Sequence, residues 1–244
     1  MRKRPLLPLF LLAGLFGLLA IPTTTRQGVD FQITKRRIPL AVKAASFLLR
    51  DYEYKRLAAE LTHGLGSEES KAEALMRWTH ERIRPGPPGW PVVDDHIANI
   101  IIRGYGQEDQ MADVFVTLMT YAGVPSFWGI IRNPAKPGSW VASFVKIGGH
   151  WTVWDVAAGI SFRDAQGRLA SVEDLRARPE LLELSIVKVP KREKLYRILV
   201  DGRLSRFHVP DPLRAQMQMP FPRMLVQLRQ VAAKLIGKPQ ETDG

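Results

Sequence analysis

The side chains of this chain best placed to do chemistry are carboxylates. Glu108 and Asp109 open an amphipathic stretch, EDQMADVFVTLMTYAGVP, one residue beyond a Gly-Tyr-Gly turn, and Asp155 closes the strand-like run HWTVWD. A side chain in the first turn of a helix faces unpaired N–H groups and the positive end of the macrodipole, which favours negative charge there. At that place a thiol would be acidified into a nucleophile, but the chain contains no cysteine. Glu108 therefore has three readings: a helix-end carboxylate, an anion that fixes a ligand in a cleft, or a general base acting with His150 and Asp155. The third meets two obstacles. A carboxylate attacks acyl groups poorly without a proton partner, and His150 precedes Asp155 by five residues, an odd separation that puts them on opposite faces of a strand.

Other clusters carry less. Asp94, Asp95 and His96 are the densest metal-capable group, yet three consecutive residues cannot all turn to one ion from a regular strand, and a mononuclear site needs three or four ligands. They read as loop polarity or a cap for the 97–102 segment, and no metal or cofactor is expected. His63, His80 and His208 are isolated. No phosphate loop, dinucleotide fingerprint or nucleophile elbow is present. Trp128, Trp140, Trp151 and Trp154 read as core aromatics of a small sheet, with sugar stacking in a cleft as the alternative.

The elements that would hold these groups follow from periodicity. Helices are expected over 39–49 and 52–61. Ser67 caps another that carries Glu68 and Glu69 in its first turn and ends before Pro85. Met111, Ala112, Phe115, Leu118, Met119 and Ala122 form one stripe on the helix that starts at Glu108, and Gly123 ends it. Strands are expected over 127–132, 140–147 and 150–156. Gly148-Gly149 suits a two-residue hairpin turn, which would bring Asp155 back beside Trp140. A turn at Gln166-Gly167 and a short helix from Ser171 follow. Ile198, Val200 and 210–212 read as extended or irregular, and a basic amphipathic helix is expected from Pro222, with Met224, Leu225, Leu228, Val231, Ala232 and Leu235 on its apolar face.

In this order the features resemble the bacterial transglutaminase-like (papain-like) superfamily, over about residues 58–175. The resemblance rests on Ala112, Phe115, Leu118, Gly123-Val124-Pro125, Trp140 and Asp155. It places the family's cysteine at Glu108, its histidine at Ser139 (or Gly138 if the hairpin register shifts by one) and its aspartate at Asp155, so one residue of the triad is retained. It implies an α+β fold with helices packed on a small antiparallel sheet, and a cleft lined by Tyr105, Glu108, Trp140 and Asp155. The implied function is that of a catalytically inactive module binding a protein or glycan at the cell envelope, with surface polysaccharide production or export as the associated process. The alternatives are a hydrolase with relocated chemistry at Glu108, Asp109 or Asp155, and an assembly factor working through its C-terminal helix.

Charge and hydropathy divide the chain. Its 244 residues carry a formal +11, and Arg2, Lys3 and Arg4 are the only charges in the first 25. The remaining surplus of basic groups suits an anionic partner, whereas no nucleic-acid recognition motif appears. The charged start and the apolar run over 6–21 read as an uncleaved signal anchor or a signal peptide. The expected organisation is 1–25 anchor or signal, 26–38 basic juxtamembrane linker, 39–183 transglutaminase-like domain, and 184–244 extension. The expected placement is a single-pass anchor with the domain outside the cytoplasm.

Overall fold

Two apolar periodicities meet in this chain, one of 3.6 residues over 108–121 and one of two over 126–155, and each builds a layer. The computed structural model describes residues 19–29, 32–87, 96–132 and 139–201, with isolated positions 14, 16, 17, 89, 219, 221, 222, 224 and 225. Most of the apolar run over 6–21, Asp94, Asp95, Gly138, residues 210–212 and most of the helix expected from Pro222 lie outside the described residues. Among the described residues no helix is long and apolar enough to cross a membrane.

The chain first forms an antiparallel hairpin, β1 (Pro22–Val29) and β2 (Gln32–Pro39), in register from Pro22↔Pro39. Residues 26–38, expected as a linker, therefore lie within or between paired strands. Their charge suggested irregular chain, but Thr recurs in both strands, with Val29 in β1 and Ile33 and Ile38 in β2, and these residues favour the extended backbone. Next, α1 (Leu40–Leu61) is one helix rather than the two expected. The expected break at Arg50 and Asp51 contains no helix breaker. Asp51 is instead buried, accepting from Tyr121 Oη–H at 2.8 Å and Lys55 Nζ–H at 2.7 Å.

Ser67 caps α2 (Glu68–Arg82), its Oγ accepting the Ser70 N–H at 3.0 Å, and Glu68 and Glu69 occupy the first turn. Short strands β3 (Arg84–Pro85) and β4 (Tyr105–Gly106) pair in parallel around α3 (Ile97–Arg103), whose N-cap position is His96. The central helix α4 (Glu108–Tyr121) ends where Gly123, at φ +81°, lets its own N–H reach Thr120 O and the Val124 N–H reach Met119 O. Those bonds satisfy carbonyls that a helix end leaves open.

The four-stranded sheet follows as β5 (Ser126–Arg132), β6 (Ser139–Ile147), β7 (His150–Asp155) and β8 (Ile160–Ser161), antiparallel and in sequence order. Gly148 and Gly149 form the β6–β7 turn, both with positive φ, and Ile147 pairs with His150. The sheet is covered on both faces. Val145 and Trp154 pack with Phe115, Leu118 and Met119 of α4 and with residues of α1 to α3. Phe127, Trp140, Phe144 and Val153 face a second cluster, formed with the helices α5 (Val172–Ala177), α6 (Leu181–Ile186) and α7 (Glu193–Asp201).

This third layer corrects the expected limit at residue 183, which falls inside α6. Ile186 and Tyr196 are buried in the same cluster as the sheet, so the folded unit runs through at least residue 201. Ile198 and Val200, expected as extended, lie in α7. The fold is α+β, with helices on both faces of a small antiparallel sheet.

Candidate functional site

Chain entry into α4 is fixed from both sides. β3 pairing holds Tyr105 and Gly106, and a Cβ on Gly106 would come within 3.2 Å of Ile83 and Gln110, closer than side chains normally pack. Gln107 then takes the N-cap position, its N–H donating to Gln110 Oε1 at 2.9 Å. Glu108 follows in the first turn, about half exposed, where the helix end contributes roughly 0.3–1 kcal/mol towards its charge.

Asp155 ends β7 and is completely buried. A buried carboxylate is tolerable only when its oxygens are satisfied, and here donors converge on both. Oδ2 accepts from Trp140 Nε1–H at 3.1 Å and from Tyr196 Oη–H at 2.6 Å, while Oδ1 accepts from the Ala158 N–H at 3.0 Å. Arg192 completes the arrangement from a 3₁₀ turn, Pro190–Arg192, just ahead of α7. Its guanidinium lies 2.8 Å from Glu108 Oε1 and 3.6 Å from Asp155 Oδ1. One cation thus bridges the two carboxylates that sequence reasoning had singled out. Burial opposes the guanidinium's charge, but Asp155 and then Glu108 outweigh it and hold Arg192 above its usual range.

The other expected site residues divide. Trp140 is buried and bound to Asp155, as the hairpin pairing required. Tyr105 lies in β4, its carbonyl accepting from Arg103 Nε–H at 3.0 Å. Ser139 is exposed at the start of β6, where alternation puts it on the face opposite Trp140, so the structure does not bring it to Asp155. His150 is exposed at the hairpin turn, at the far end of β7 from Asp155. Trp154 is fully buried, and Trp128, partly buried, donates through Nε1 to Asp113. Among the described residues no group of three or more His, Asp or Glu is arranged to hold a metal ion. Arg192 and Tyr196 were missed by sequence reasoning. Their signal is faint: Pro190 at a helical first position, then Arg192 and Tyr196 one turn apart.

A separate groove of about 410 Å³ lies between α2 and the β7–β8 turn, lined by Glu73, Met76, Arg77, His80, Glu81 and Gly159. His80 Nδ1 donates to Val156 O at 3.1 Å. Gly159, at φ +69°, packs so closely that a Cβ there would sit 2.9 Å from the imidazole.

The phenol of Tyr196 is pushed above its ordinary range by burial first and by Asp155 second, and that of Tyr121 by burial and then Asp51. Unfolded phenols ionise near pH 10, so both groups lend stability that is complete below about pH 10 and declines above it. The expected slope is about 1.4 kcal/mol per pH unit for each phenol. Urea unfolding from about pH 8 to pH 11 should show it, and Tyr196→Phe should remove one phenol's share. An unchanged slope in that variant would contradict the assignment.

No protein-family model matches the sequence, and no curated protein matches it. Among solved structures it is similar to a presumed cysteine protease from Cytophaga hutchinsonii, at 18% identity and a TM-score of 0.38, covering 50% of this chain and 41% of that one. A presumed protease from Parabacteroides distasonis aligns at 16% identity and a TM-score of 0.34, covering 57% and 39%. The chain thus spans less than half the length of either.

Proposed function

We propose that this chain is a non-catalytic module on a transglutaminase-like scaffold, one in which the thiol position has become part of an internal ion pair. The observation that carries this reading is the single guanidinium of Arg192 held between Glu108 and Asp155. A ligand for two carboxylates in a cleft would have to present a cation or hydrogen-bond donors. The chain itself supplies the cation, and Trp140, Tyr196 and Ala158 supply the donors. A hydrolase using Asp155 would need that carboxylate to reach substrate, and its complete burial opposes this.

The partner then meets the outer surface of the domain. Its class is a protein or an anionic glycan, consistent with the excess of basic side chains. The setting is the cell envelope, with the apolar run over 6–21 as the membrane attachment, and surface polysaccharide production or export is the process this reading favours. Restoring a thiol tests the loss of catalysis. Glu108→Cys alone is expected to give no turnover of a Gln-containing peptide above the unmodified chain, because no imidazole stands at Ser139 to act as base and proton donor. Turnover that depends on the introduced thiol would overturn the reading.

A further inference from the structure

The first three turns of α1 make little contact with the core: the buried residues of this helix, Asp51, Tyr54 and Ala58, all lie beyond them. Val42, Ala45, Leu48, Leu49 and Tyr52 are exposed instead, Leu48, Leu49 and Tyr52 by 57–61%. At 100° per residue these five fall within a third of the helix circumference, so they form one continuous apolar stripe. The charge around the stripe has one sign. Residues 31–50 contain no Asp or Glu; of their cations, Lys43 and Arg50 fall on the other side of α1, and Lys35, Arg36 and Arg37 of β2 are the ones that lead up to the stripe. The three cations of β2 are exposed, and Lys43 Nζ donates to Thr24 O, not to a carboxylate. The first exposed acid on α1, Glu53, is paired with Arg56.

We propose that this stripe and the cations beside it form a surface for an anionic lipid bilayer. Apolar side chains would enter the headgroup–acyl boundary while Lys and Arg reach the phosphates. The charge argues for this occupant over a second copy of the chain, since two such surfaces would bring the Lys35, Arg36 and Arg37 clusters of both copies together. Position argues for it as well. The Leu40 N–H donates to Ile21 O at 2.8 Å, and Pro22 pairs with Pro39. The apolar run over 6–21 therefore ends against the foot of α1, beside the stripe. This surface is independent of the reading given for Glu108 and Asp155.

The absence of cysteine allows a direct test on the full chain. Leu49→Cys is coupled to an environment-sensitive fluorophore, with His150→Cys on the β6–β7 turn as the reference. Vesicles of mixed phosphatidylglycerol and phosphatidylcholine should shift emission at position 49 to the blue. They should also slow its quenching by aqueous iodide at least about threefold, and leave position 150 unchanged. Pure phosphatidylcholine, or replacement of Lys35, Arg36 and Arg37 by Gln, should largely abolish the change. A label at position 49 that stays water-like on anionic vesicles would overturn the proposal, even if the protein sediments with them through its N-terminus. So would a blue shift that needs no vesicles and grows with protein concentration, which would mark a second copy as the occupant.

Discussion

Asp155→Ala is expected to lower the unfolding free energy by about 4 kcal/mol. The substitution removes a carboxylate and leaves Trp140 Nε1–H, Tyr196 Oη–H and the Ala158 N–H without their acceptor. It also leaves Arg192 with Glu108 alone. Each buried orphaned donor costs roughly 1–3 kcal/mol, and a group that acts as a unit loses less than the sum. Asp155→Asn keeps the volume and one acceptor oxygen, and its cost should be about half as large. Urea titration followed by circular dichroism at neutral pH would order the three proteins. A loss below about 1 kcal/mol for the Ala variant would mean that water replaces these partners and that Asp155 is not the centre of the fold's polar core.

Arg192→Glu should produce the second large effect, about 3 kcal/mol, and a more local one. It puts a third carboxylate beside Glu108 and Asp155 where a cation now joins them. The repulsion acts on the segment that carries residue 192, so the 3₁₀ turn and α7 should loosen before the sheet does. Hydrogen exchange should speed up over 190–201 and stay near its original rate over β6 and β7. Arg192→Met keeps much of the packing and adds no repulsion, so it should fall between. Unchanged protection of α7 in the Glu variant would show that apolar contacts around Tyr196 hold the segment without help from the bridge.

What could be read from the sequence was what short-range rules govern. The α4 stripe, the Gly123 end, the Gly148-Gly149 turn and the Ser67 and Ser171 caps each depend on residues within one or two turns of each other, and the structure places all of them as expected. The return of Asp155 to Trp140 followed from the hairpin. The readings that failed were set by partners far away in the chain. Asp51 looked like a break between helices, because nothing nearby announces its bond to Tyr121, seventy residues on. The bridge has the same character. Tyr196 meets Asp155 across 41 residues, and the residues from 184 on, Tyr196 among them, were read as an extension. The hairpin over 22–39 was hidden by charges that a two-stranded ladder open to solvent tolerates.

The position of α7 also sets an order on biosynthesis. The sheet is complete at residue 161, yet one of its faces is covered only in part, by α5 and α6, and Asp155 lacks its Tyr196 and Arg192 partners, until α7 has been made. A nascent chain halted before Tyr196 leaves the cluster around Trp140 and Phe144 incompletely covered, together with an incompletely paired carboxylate. Such a surface invites aggregation and chaperone capture. Long-range closure of this kind slows folding relative to local contacts. Truncation near residue 183 should therefore yield a fragment that helper proteins hold, and the domain would be closed from its C-terminal side, by the segment over 190–201.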